Sequence, residues 1–130
     1  MNVLLAFSVL LAGWASQYGP GVMDSVIRVR QAGRTVMTLP MELPETDGYV
    51  AMVECDRIGD VVYLRPLGDE VFESFLVVDC SGHDETTDWM ERNNILVEVD
   101  YETALRWDTI GHGQQIEMKQ ADEYITFCAQ

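Results

Sequence analysis

Apolar residues along the chain gather in short runs cut by glycine, proline and acidic turns, a pattern of strands rather than of long helices. Residues 26–30 (V-I-R-V-R) are β-branched and basic and predict a strand. Residues 35–39 predict another, ended by Pro40 and Pro44. Further strands are predicted over 48–54, 61–65, 75–80, 95–99 and 115–119, with D-R-I-G-D at 56–60 as a hairpin connection into the 61–65 strand. The stretch F-L-V-V-D-C-S-G at 75–82 is the most informative, because four apolar residues run straight into Asp79, Cys80 and a turn. It reads as a buried strand that delivers an acid to the rim of a core, where rigid backbone can aim it. Residues 81–88 predict a polar loop. Residues 100–107 predict a short helix, with Asp100 at the N-cap, Glu102 at the positive end of the dipole and Arg106 in the last turn. About seven short strands with frequent turns imply a closed β-structure, since apolar edge strands left open would aggregate.

The N-terminal segment changes this picture. Residues 3–12 are apolar except for Ser8, too short to span a bilayer but of the length of an export-signal core, and A-G-W-A follows at 12–15. The expected organisation is a signal peptide over 1–15, one folded domain over 16–119 and a C-terminal tail over 120–130 without clear period. An uncleaved anchor is the alternative. A chain of 130 residues has room for one core only. The net charge of −14 comes from 22 acids against eight bases, which repels phosphate backbones and anionic lipid and argues against nucleic acid as a partner. The expectation is a secreted or periplasmic monomer with no stable membrane anchor after processing. In such a compartment Cys55 and Cys80, each at the edge of an apolar strand, are the natural disulfide pair, worth about 3 kcal/mol on the chain-entropy estimate. Cys128 is then left over, and pairing of Cys128 with either of the others remains open.

Several short motifs occur in an order that resembles the rare lipoprotein A family and the related barwin and expansin proteins. They are A-S-Q-Y-G-P-G at 15–21, T-L-P at 38–40, V-V-D-C-S-G at 77–82 and I-L-V-E-V-D-Y-E-T-A at 95–104. The resemblance covers residues 15 to about 119 and implies an all-β fold, a small six-stranded double-psi β-barrel with one or two short helices. It implies a cell-wall polysaccharide, peptidoglycan or a related glycan, as partner. Asp79 then matches the family acid that cleaves or grips wall glycan, and Asp100 the acid lying in the substrate groove of expansins. The motif holding Tyr18 matches the one that starts the family's domain. The family's histidine before T-L-P is missing, since residues 33–37 read G-R-T-V-M, and no R-G-P follows Asp79.

Read as chemistry, Asp79 and Asp100 are candidate catalytic residues, one donating a proton to a glycosidic oxygen and the other activating water or stabilising the oxocarbenium-like state. The plainer reading makes Asp100 a helix cap and Asp79 an acceptor of backbone hydrogen bonds. Tyr63, Trp89, Tyr101 and Trp107 are candidate stacking platforms for sugar rings, with Trp89 the exposed one and one of Tyr101 and Trp107 expected in the core, and Tyr18 and His83 complete the substrate-binding set. The cluster of Cys80, His83, Asp84, Glu85 and Asp88 lacks a second matching ligand pair, so a solvated loop is expected there and no metal or other cofactor. His112, between glycines, reads as part of a turn. The expected function is glycan binding without strong catalysis. The alternatives are a lytic transglycosylase or hydrolase using the two aspartates, and a secreted structural or effector protein with no glycan role.

Overall fold

A computed structural model describes residues 2–7, 10–82, 84–119 and 123–128. Eight strands and three α-helices follow one another: β1 (Asn2–Phe7), β2 (Leu10–Gln17), α1 (Val22–Gln31), β3 (Gly48–Met52), β4 (Val61–Pro66), β5 (Glu73–Cys80), α2 (Glu85–Arg92), β6 (Ile95–Val99), α3 (Tyr101–Trp107), β7 (Gln114–Lys119) and β8 (Glu123–Cys128). Six of the strands close into a barrel in the order β2-β6-β3-β5-β4-β7, while β1 and β8 pair with each other as a separate antiparallel ribbon. The pairs β2/β6 and β3/β5 are parallel and the other four are antiparallel. Thus β2 and β3, consecutive in the chain, are separated by β6, and β3 and β4 are separated by β5. This is the interleaving of a double-psi barrel, and it leaves no exposed edge in the ring.

Alternation builds the interior. Val50 and Met52 of β3, Val62 and Leu64 of β4, Val97 and Val99 of β6, and Ile116 and Met118 of β7 all point inward, joined by Phe75 and Val77 of β5. Phe75 meets Trp107 edge to face at 5.8 Å between ring centroids, which seals one end of the barrel with α3. A second apolar layer lies outside, where Met23 and Ile27 of α1 and Leu39 cover Leu76 and Val78 of β5.

Four local expectations are corrected. Residues 26–30 are helical within α1, because Met23, Ile27 and Arg30 fall on one helical stripe that burial rewards, whereas a strand would expose half of them. Residues 35–39 form no strand and run as irregular chain that places Leu39 over β5. Part of the expected polar loop is α2, begun by the Asp84 side chain, which accepts from Thr86 N at 2.9 Å and Thr87 N at 3.2 Å. The 56–60 connection joins no hairpin: β4 pairs with β5 and β7, and the turn contains a short 3-10 helix, Cys55–Arg57. The helices therefore number three among the described residues, one more than the upper expectation.

The apolar N-terminal run supplies β1 and most of β2. Leu10 to Ala15 align with Lys119 to Gln114 of β7, and Ala15 is buried in the barrel core. The Cys55–Cys80 disulfide is formed, spanning 25 residues and tying the turn after β3 to the end of β5.

Candidate functional site

Asp79 lies at the end of β5, just past an irregularity in its pairing with β3. The register then carries a belt across four strands: Asp79 is opposite Ala51, Ala51 opposite Glu98, and Glu98 opposite Ser16. Their neighbours Val50, Val97 and Val99 point into the core, so the belt faces outward, toward α1 and the loops. Helix α1 brings Arg30 to this face. Its Nη2 donates to Asp79 Oδ1 at 2.6 Å, and its Nη1 donates to the carbonyl of Met37 at 2.9 Å. The Tyr18 hydroxyl donates to Asp79 Oδ2 at 2.6 Å.

Both oxygens of Asp79 are thus occupied, one by a guanidinium and one by a phenol, in a pair whose side chains are only 11% and 18% exposed. Burial, with the hydrogen bond and charge of Asp79 and the charge of Glu98 added, raises the Tyr18 pKa far above its ordinary value, against the opposing charge of Arg30. Glu98 is also pushed upward, by burial first and then by the charge of Asp79, while the neighbouring Ser16 hydroxyl works in the other direction.

Asp100 sits elsewhere. It occupies the N-cap position of α3, buried, where its Oδ1 accepts from the Thr103 hydroxyl at 2.6 Å and from Tyr49 N at 3.1 Å. A Cβ on Gly48 would come within 2.9 Å of that same oxygen, so the carboxylate is packed over the start of β3 at the closed end of the barrel. The structure brings Tyr18 and Asp79 together, and gives Asp100 structural partners of its own. Tyr101 is half-buried on α3. His83 lies outside the described residues. Among the described residues no group of three or more histidine, cysteine, aspartate or glutamate side chains could hold a metal ion.

The open space beside the belt is a cleft of about 520 Å³. Two indoles border it, Trp14 from β2 and Trp89 from α2, which are 40% and 43% exposed. Ser16, Gln17, Asn93, Glu98 and His112 supply its polar side chains. Trp14 stands at the irregularity in the β2/β6 pairing, where its backbone N donates to Asn94 O at 2.9 Å. That bulge re-aims the ring at the edge of the barrel. Gln17 accepts from Gly111 N at 3.1 Å and so holds the loop carrying His112 over the cleft. Gly113 has φ of 72° and sits where a Cβ would meet the Ala15 carbonyl at 3.1 Å, letting the loop lie close against Trp14.

Trp14, Arg30 and Glu98 were not singled out as site residues by the sequence. Glu98 carried a signal, as the one acid inside the apolar run I-L-V-E-V at 95–99. Trp14 was hidden in a segment read as an export signal, and Arg30 in a segment read as a strand. No protein-family model matches the sequence, and no curated protein sequence matches it.

Proposed function

We propose that this is an exported barrel that keeps residues 10–15 in its folded form, rather than losing 1–15 as a signal peptide, and that binds a glycan in the cleft lined by Trp14 and Trp89 without cleaving it. The observation that carries the reading is a pair of part-exposed indoles lining a cleft of about 520 Å³ that is edged with side-chain amides, an imidazole and a carboxylate. Aromatic faces pack against the apolar faces of sugar rings, while amides and acids bond the hydroxyls around the ring edge. Cleavage by Asp79 and Asp100 is disfavoured, since each carboxylate already has partners, Arg30 and Tyr18 in one case and Thr103 and Tyr49 in the other. Export is supported by the Cys55–Cys80 disulfide, and no helix among the described residues is long and apolar enough to cross a membrane. A cell-wall polysaccharide is the partner class that the motif order suggests.

Incubation of purified protein with peptidoglycan and with cellulose, scored for both retention and soluble fragments, tests the reading. Retention without release is expected, with retention reduced about tenfold in Trp89→Ala and in Trp14→Ala. Release that disappears in Asp79→Asn would replace the binder by a glycan-cleaving enzyme. Absence of both retention and release would leave the barrel without a glycan role.

A further inference from the structure

We infer that the cleft is built for a sugar that carries a free ammonium group, a 2-amino-2-deoxyglycan, with Glu98 as its counter-ion. The inference rests on the glycan-binding reading above and specifies the ligand. Among the described residues Glu98 is the only acid lining the cleft, and no lysine or arginine lines it. No ion pair among the described residues involves Glu98: Arg30 is committed to Asp79, Arg57 to Asp60, Arg65 to Glu117 and Arg106 to Glu73. Asp79, two positions along the belt with Ala51 between, adds negative potential, although its own charge is matched by Arg30.

The cleft therefore presents a part-buried carboxylate with no arginine or lysine partner among the described residues, in a space that the Trp14 and Trp89 indoles also line. An ammonium ion satisfies both features, since it pairs with the carboxylate and is attracted to the negative faces of the rings. A neutral sugar would cover Glu98 without compensating its charge, and an acidic sugar would be repelled. The order of preference that follows is amino sugar, then N-acetylated or neutral sugar, then uronic acid.

The test is calorimetric titration at neutral pH with three oligomers: β-1,4-linked glucosamine, its N-acetylated counterpart and an oligogalacturonate. The wild-type protein is expected to bind the glucosamine oligomer about tenfold more tightly than the acetylated one and the oligogalacturonate least. In Glu98→Gln that ratio should fall toward one. In Glu45→Gln, an exposed acid elsewhere on the surface, the ratio should persist. This control separates the cleft from general attraction to a chain of net charge −14. Equal wild-type binding of the amino and acetylated oligomers would overturn the ammonium inference and leave glycan binding standing. A preference undiminished in Glu98→Gln would overturn it by assigning the attraction to the surface as a whole. Failure of all three oligomers to bind would overturn both readings, and the wild-type comparison decides this whether or not a variant folds.

Discussion

At the scale of single residues the molecule turns on how four buried or half-buried ionisable groups, Tyr18, Arg30, Asp79 and Glu98, meet at one belt. Arg30 and Asp79 form a pair shielded from water, so removing one partner leaves the other charge stranded. Arg30→Met should lower unfolding free energy by about 3 kcal/mol in urea titrations, and the double replacement Arg30→Met with Asp79→Leu should cost less than the single one. Glu98 makes the opposite contribution. Its folded pKa is raised from 4.5, so the stability it lends is fully present below that pH and is lost as pH rises through the folded value. Glu98→Gln should therefore raise the thermal midpoint at neutral pH and flatten the decline of stability above pH 4.5. Tyr18 follows the same sign at the alkaline end. Its folded pKa lies above the ordinary 10.0, so stability should fall as pH rises beyond that value, and Tyr18→Phe should remove this part of the decline.

At the scale of elements, what the sequence revealed and what it hid follow from the reach of each signal. Strands 48–52, 61–66, 73–80, 95–99 and 114–119 were legible because inward valines, leucines and methionines alternate with other residues or run continuously where both faces are covered. Helix α1 was not, since V-I-R-V-R is rich in β-branched residues and only the longer spacing of Met23, Ile27 and Arg30 betrays a helical face. The crossing connections were also hidden. D-R-I-G-D marks a turn, but nothing local says that β5 will insert between β3 and β4. Asp79 stood out as an acid ending an apolar run, whereas its partner Arg30, 49 residues away, came only with the tertiary structure. The start of β3 gives a test of how tightly the elements meet. A Cβ on Gly48 would lie 2.6 Å from Thr103 Oγ1, 2.8 Å from a Phe75 ring carbon and 2.9 Å from Asp100 Oδ1. Gly48→Ala should cost about 2 kcal/mol by denaturant titration, through overpacking between β3, β5 and α3.

At the scale of the whole molecule, closure of the barrel depends on β2, which pairs with β6 on one side and β7 on the other. A chain beginning at Ser16 loses the whole alignment with β7 together with the core residue Ala15. Its thermal unfolding should lose cooperativity, whereas a chain beginning at Leu10 should keep it. The same strand carries Trp14 into the cleft, so the N-terminal segment serves fold and site together. Nuclear magnetic resonance of the indole N–H groups during titration with a β-1,4-linked glucosamine oligomer reads the site most directly, because the chain has three tryptophans in two different settings. Trp14 and Trp89 border the cleft, while Trp107 donates its Nε1–H to Glu73 at 3.1 Å and packs on Phe75. Saturable shifts of the Trp14 and Trp89 signals with a stationary Trp107 signal are the result this account predicts. Stationary Trp14 and Trp89 signals at saturating oligomer, or movement of Trp107 alone, would contradict it.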